Sequence, residues 1–129
     1  MADACWIAVV DDDPAVLKAL SRLLRSRAFR VLTYESGQEF LASLTEGLPA
    51  CVIVDLQMPA MSGLELKQRL VRDGLDIPTI MITAHRDAGP DEHEKASLVA
   101  FLHKPLQDRN LFAALDKALG VSRDGGQPW

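Results

Sequence analysis

The sequence predicts an α/β protein, in which a parallel sheet of five strands carries helices on both faces as a three-layer sandwich. Five short apolar segments alternate along the chain with segments whose apolar residues recur at helical spacing. The short segments lack the alternation of half-exposed strands, which is typical of strands covered on both faces. Strand–helix alternation implies right-handed crossovers and therefore parallel strands.

The composition fits one globular domain, which we assign to residues 1–120, with residues 121–129 as a tail or the start of a linker. The chain has 129 residues, 48% apolar and 25% charged, so it can bury a core without disulfides or metal ions. A net charge of −4 argues against direct nucleic-acid contact by this segment. We expect a cytoplasmic protein without membrane contact, since there is neither a long apolar run nor a secretory signal pattern.

The two cysteines, Cys5 and Cys51, each open an apolar strand-like segment. They are far apart in the chain, so they do not match the short spacing of metal-binding cysteines. We expect both to be free thiols in a reducing compartment.

The start of the chain predicts two strands with a helix between them. Residues 6–10 form the first strand. Asp13 then caps a helix that has Pro14 at its first position, where a missing N–H does no harm. Residues 30–33 form the second strand, which is less apolar than the others and therefore nearer an edge of the sheet.

Two capping-box patterns predict where the second and third helices begin. Ser36 and Glu39 precede one apolar stripe, and Ser62 and Glu65 precede another. The second helix is expected to end around Gly47, because glycine is common just after a helix.

The third strand, residues 51–54, is apolar throughout and runs directly into Asp55. Pro59 and Gly63 break the regular backbone after it. Open α/β sheets bind ligands at the carboxyl ends of their strands. Asp55 is therefore placed for chemistry.

The last part of the chain is less regular. Residues 79–82 and 98–102 predict the fourth and fifth strands, and residues 108–119 predict the final helix. The segment between these two strands contains Gly89 and Pro90 and has no apolar stripe. We therefore expect an irregular or shortened fourth helix, at most residues 91–97.

Polar side chains follow four of the five strands, at the edge where parallel strands end. They are Asp11, Asp12, Asp55, Thr83 and Lys104. Carboxylates crowded in a poorly hydrated cleft repel one another, and a hard cation such as Mg²⁺ relieves that repulsion. Mg²⁺ leaves coordination positions for phosphate oxygens, which an ammonium and a hydroxyl group can also contact. This edge therefore predicts a site for Mg²⁺ and a phosphoryl group that a carboxylate can accept covalently.

Each of these residues has a simpler interpretation when taken alone. The acidic triplet at residues 11–13 is typical of a helix start with solvated acids. Thr83 alone would be the end of a strand, Lys104 a solvated lysine and Asp55 a turn residue. Their joint occurrence directly after separate apolar strands favours one common site.

Four ordered motifs resemble the receiver domain of bacterial two-component response regulators. They are Val-Val-Asp11-Asp12-Asp13, Val-Asp55-Leu-Gln-Met58-Pro59-x-Met61-x-Gly63, Ile-Thr83-Ala84 and Phe101-Leu-His-Lys104-Pro105. The resemblance covers about residues 5–120. Phe101 and the Asp-Asp-Asp-Pro start are most similar to the FixJ-type receivers that precede a LuxR-type DNA-binding domain.

The resemblance implies a flavodoxin-like fold with strand order 2-1-3-4-5 and a set of functional residues. Asp55 would accept a phosphoryl group from a sensor histidine kinase. The Mg²⁺ cofactor would be bound directly by Asp12, Asp55 and the Gln57 backbone carbonyl, and through water by Asp11. The phosphoryl group and the switch would involve Thr83, the Ala84 backbone, Lys104 and the aromatic ring of Phe101.

The resemblance also implies a phosphoacceptor switch rather than a metabolic enzyme, with self-catalysed phosphotransfer and autodephosphorylation. Homodimerisation on phosphorylation is implied as well. In a longer regulator, a DNA-binding domain would follow Trp129. By spacing alone, Phe101 would be plain core packing, so its switch role depends on the resemblance.

Three alternative functions fit the sequence less well. A Mg²⁺-dependent phosphohydrolase of the aspartyl-phosphate type usually carries Asp-x-Asp at its nucleophile, and the second acid is missing after Asp55. A flavodoxin-like cofactor-binding module would need a phosphate-binding loop rich in Gly, Ser or Thr, which this sequence lacks. A degenerate, phosphate-independent receiver is disfavoured because the acids, threonine and lysine are all present.

Overall fold

Five parallel strands form one sheet of order β2-β1-β3-β4-β5 in the structure, a computed structural model that describes residues 6–84 and 91–120 (without the His93 side chain). The strands are β1 Ile7–Val10, β2 Val31–Tyr34, β3 Cys51–Asp55, β4 Thr79–Thr83 and β5 Ala100–His103. The predicted fold class and strand order are confirmed, as is the edge position of β2. Cys5 and the predicted tail lie outside the described residues.

Helices cover both faces of this sheet. They are α1 Pro14–Ser26, α2 Gly37–Ser43, α3 Gly63–Arg72, α4 Glu92–Lys95 and α5 Asp108–Ala118, and a 3-10 turn over Leu44–Glu46 follows α2. Side chains of α1 and α5 pack on one face of the sheet around Ile53 and Ile80. Side chains of α2 and α3 pack on the other face around Val54 and Met81. Each fully buried Leu or Ile in these two layers stabilises the fold by about 1.5–3 kcal/mol.

The predicted strand boundaries are wrong in a way that matters for the site. β3 and β4 are each one residue longer than predicted, so Asp55 and Thr83 are the last residues of their strands. β5 begins at Ala100 rather than at Leu98, because the Leu98 N–H donates to the Lys95 carbonyl in the turn that ends α4.

The capping box is complete at α3 but only half formed at α2. Ser62 Oγ accepts from the Glu65 N–H at 3.1 Å, and Glu65 Oε1 accepts from the Ser62 N–H at 2.8 Å. At α2, Ser36 Oγ accepts from the Glu39 N–H at 3.1 Å, but the Glu39 carboxylate accepts from Glu35 instead of Ser36. The same sequence pattern therefore caps two helices with different hydrogen bonds.

The fourth helix is short, as predicted, with four residues. Asp91 Oδ1 accepts from the Glu94 N–H at 2.8 Å, and Glu94 Oε1 accepts from the Asp91 N–H at 3.0 Å. This capping box was not predicted, because the segment has no apolar stripe to indicate a helix. No helix within residues 6–84 and 91–120 has the length and apolar character needed to cross a bilayer.

Candidate functional site

The register of β1 and β3 brings two acids to one level at the carboxyl edge of the sheet. Val10 pairs with Val54, so the residues that follow them, Asp11 and Asp55, stand side by side. Both acids are buried, at 0% and 6% exposure. Asp11 Oδ1 also accepts from the Asp13 N–H at 2.9 Å, which fixes its side chain at the start of α1. Asp13 itself caps α1 through the Ala15 N–H, as predicted.

A third acid completes a group that can hold a cation. Asp11, Asp12 and Asp55 each offer a carboxylate oxygen, and these oxygens all lie within 4.8 Å of one another. Asp12 is exposed while the other two acids are buried, so one side of the group stays open to water and ligand oxygens. Hard oxygen donors with an open side fit Mg²⁺, which retains several waters when protein bound.

Lys104 reaches the same acids from β5. Thr83 at the end of β4 pairs with His103, and the Lys104 N–H donates to the Thr83 carbonyl at 2.8 Å. The Lys104 Nζ lies 3.3 Å from Asp11 Oδ2 and 3.8 Å from Asp55 Oδ1. Its side chain is 23% exposed, so the ammonium group sits between the buried acids and solvent.

Burial raises the pKa of both inner acids. The pKa of Asp55 rises to about 6, first because of burial and then because of the negative charge of Asp11. Lys104 and the Gln57 backbone N–H, which donates to the Asp55 carboxyl group, partly offset this rise. Burial also raises the pKa of Asp11. Without a metal ion, the negative charge of the site therefore exceeds its positive charge, and a divalent cation would balance it.

This excess of negative charge predicts a pH-dependent stability. A carboxyl group whose pKa is higher in the folded than in the unfolded protein binds more protons when folded, so stability falls as pH rises. Metal-free protein should lose up to about 3 kcal/mol of unfolding free energy from Asp55 as pH rises from about 4 to about 7. Urea unfolding across this range measures the loss. Saturating Mg²⁺ should recover much of it, and stability that rises through the same range without metal would contradict the prediction.

The other predicted residues lie on or beside β4 and β5. Thr83 is fully buried at the end of β4, the strand beside β3, and Ala84 after it is exposed. Phe101 does not belong to the acidic group. Its half-buried ring packs against the core layer under α2 and α3, contacts His103 edge-on and has Lys95 Nζ 5.6 Å from its centroid.

The β3–α3 loop, residues 56–62, carries the backbone carbonyl predicted to face the metal. The Gly63 N–H donates to the Leu56 carbonyl at 2.9 Å, and this hydrogen bond joins the two ends of the loop. The sequence predicted a break here but not the conformation of the turn: Ala60 has φ 69°, and the Met61 N–H donates to the Pro59 carbonyl at 2.7 Å. Alanine is not a residue that indicates a positive φ, so only the flanking Pro59 and Gly63 pointed to a turn here.

Known proteins resemble the chain over most of its length. The family model described as the response regulator receiver domain matches residues 7–116. The response regulator protein TmoT of Ectopseudomonas mendocina is 40% identical over 117 residues, which are 90% of this chain and 53% of TmoT. The transcriptional regulatory protein FixJ of Rhizobium meliloti is 36% identical over 111 residues, 85% of this chain and 54% of FixJ. This chain thus spans about half the length of these relatives.

Solved structures agree with these relatives. The crystal structure of FixJ-N superposes with a TM-score of 0.80 at 34% identity and covers 90% of this chain and 94% of that one. The resemblance to FixJ is therefore confirmed, and the phosphohydrolase alternative receives no support. With the family model covering residues 7–116, this chain belongs to the response regulator receiver domain family, the phosphoacceptor switches of two-component signalling.

Proposed function

We propose that Asp55 is the phosphoacceptor of this receiver and that a sensor histidine kinase is the phosphodonor. The observation that carries the proposal is the position of Lys104 Nζ, 3.3 Å from Asp11 and 3.8 Å from Asp55, beside a group of three carboxylates. An Asp55 oxygen attacks phosphorus, the bond from phosphorus to the kinase imidazole nitrogen breaks, and the imidazole leaves with that electron pair and takes a proton. An acyl phosphate on Asp55 results.

Mg²⁺ would be held directly by Asp12, Asp55 and the Gln57 carbonyl, and through water by Asp11. When bound, Mg²⁺ would neutralise phosphoryl oxygens. Lys104 pairs with one phosphoryl oxygen because its ammonium group already lies beside Asp55.

The switch itself uses the neighbouring strands. The Thr83 hydroxyl and the Ala84 N–H donate to phosphoryl oxygens, which draws the end of β4 toward Asp55. The Phe101 ring then turns inward, and the phosphorylated state favours one of two conformations. Hydrolysis of the acyl phosphate, promoted by the same site, resets the equilibrium.

We extend the proposal to the domain bounds, location and output of the protein on the basis of its family membership. Residues 1–120 form the receiver, and residues 121–129 form a tail or the start of a linker. The protein is cytoplasmic, it dimerises on phosphorylation, and it does not contact nucleic acid through this segment. This chain covers about half the length of its relatives. In a longer regulator of that kind, it controls a DNA-binding domain after Trp129.

Incubation with acetyl phosphate and Mg²⁺ tests this function. We expect the intact mass to increase by one phosphoryl group, and hydroxylamine to remove it because an acyl phosphate is reactive toward amines. Chelation of Mg²⁺ should prevent the increase. Catalytic turnover of small phosphate esters without a stable adduct would instead indicate the phosphohydrolase.

A further inference from the structure

The β3–α3 loop contains a strained turn that something outside the loop must hold. Ala60 has φ 69°, in the left-handed region that L-residues other than Gly, Asn and Asp avoid. The Met61 N–H donates to the Pro59 carbonyl across it, which makes a tight three-residue turn. Such strain persists only where surrounding contacts fix the backbone.

The turn directs the Met61 side chain onto the first residue of α2. A methyl group built on Gly37 would lie 2.7 Å from Met61 Sδ and 3.3 Å from its Cγ. The thioether therefore occupies the space that a side chain at position 37 would need. Gly37 is buried, and Met61 is half-buried against the core layer under α2 and α3.

The same loop is tied to the phosphoacceptor at its other end. The Gln57 N–H donates to the Asp55 carboxyl group, and the Gly63 N–H donates to the Leu56 carbonyl. Between these two ties, buried Met58 packs into the core layer under α2 and α3, and Met61 contacts Gly37 at the start of α2. A shift of Met61 would therefore be transmitted toward Gln57.

We propose that Met61, seated against Gly37, is a positioning residue that holds the β3–α3 loop in the shape that lets the Gln57 carbonyl face a bound Mg²⁺. This inference rests on the proposed function, which assigns the Gln57 carbonyl to the metal. Met61 touches neither metal nor phosphoryl group. Met61 fixes the backbone of the loop, and Gly37 of α2 in turn fixes the position of the Met61 side chain.

A Mg²⁺ titration of the whole chain, followed by the backbone amide NMR shifts of the loop, tests the proposal. Met61→Ala should weaken Mg²⁺ binding about tenfold, the lower end of what loss of outer support typically costs a metal site. Gly37→Ala should weaken it too, because the added methyl group displaces the Met61 thioether from the other side. Met61→Leu should bind within about twofold of the original protein, because Leu and Met have similar volumes.

Leu41→Ala is the matched control. Leu41 is half-buried and packs against the same core layer as Met61, but it belongs to α2 and not to the loop. It should lower the melting temperature as Met61→Ala does and leave Mg²⁺ affinity unchanged. In metal-free protein, the Gln57 amide should exchange faster with solvent in Met61→Ala than in Leu41→Ala.

The outcomes distinguish the positioning role of Met61 from the assignment of the metal ligands. Unchanged Mg²⁺ affinity in Met61→Ala, or an equal loss in Leu41→Ala, would overturn the positioning role. A lack of Mg²⁺-induced shifts in the unsubstituted protein would instead overturn the metal assignment in the proposed function. If Met61→Ala does not fold, Gly37→Ala decides the question, because its added methyl group meets only the end of a flexible side chain.

Discussion

Asp55→Asn is expected to abolish phosphoryl incorporation from acetyl phosphate and, in Mg²⁺-free buffer, to make the protein more stable. An amide lacks the anionic oxygen that attacks phosphorus. The same change removes a buried charge whose pKa is raised to about 6 by burial and by Asp11. At pH 7 the unfolding free energy should therefore rise by about 1–3 kcal/mol.

Mg²⁺ should make the original protein more stable than the Asp55→Asn variant, the reverse of their order without metal. A ligand that binds only the folded state stabilises it, and the stabilisation increases with the logarithm of its affinity once the ligand is in excess. Asp55→Asn removes one of the three grouped carboxylates. The original protein should gain stability as Mg²⁺ is added, and the variant should gain little. Urea unfolding with and without Mg²⁺ measures both effects.

Asp13→Asn is the control for this experiment. Asp13 belongs to the same acidic triplet, but its side chain caps α1 and lies outside the carboxylate group. Asn caps helices about as well as Asp, so α1 should remain intact. This variant should still accept a phosphoryl group. An Asp55→Asn protein phosphorylated at the original rate would refute the assignment.

The fold could be predicted because buried parallel strands leave a simple pattern in the chain. Residues Cys51 to Asp55 are all buried, and their apolar run has no alternation to confuse with a half-exposed strand. The acids at the carboxyl ends of β1 and β3 could be placed on one edge for the same reason, since parallel strands end together. Local rules were sufficient wherever the partner of a residue was the neighbouring strand.

The contacts that the sequence did not predict are of two kinds, which are alternative local hydrogen bonds and contacts with residues farther along the chain. Glu39 accepts from Glu35 rather than Ser36, although Ser36-x-x-Glu39 matches the pattern that is complete at Ser62 and Glu65. The positive φ of Ala60 was not predicted, because alanine is not a residue that indicates a left-handed conformation. Lys95 Nζ lies 5.6 Å from the Phe101 ring centroid, and this contact was not predicted, although the short length of α4 was.

Gly63→Ala is expected to destabilise the protein by about 3 kcal/mol or more, because an added methyl group would collide with backbone. A Cβ at Gly63 would overlap the Asp55 carbonyl oxygen, and it would lie 3.0 Å from the Asp55 carbonyl carbon and from Leu56 Cα. These atoms end β3 and begin the β3–α3 loop, so they cannot turn aside as a side chain can. Relief requires α3 to move away from β3, the strand that carries Asp55.

Gly37→Ala provides an internal comparison for this prediction. Gly37 and Gly63 are both the first residue of a helix, both follow a serine N-cap, and both precede a glutamate by two positions. They differ in what a methyl group would meet, which is the end of the Met61 side chain at Gly37 and strand backbone at Gly63. Urea unfolding should show a loss of about 1 kcal/mol for Gly37→Ala, so the difference between the two variants measures the backbone contact itself. Equal losses would mean that helix position, rather than the approach of α3 to Asp55, determines the need for glycine.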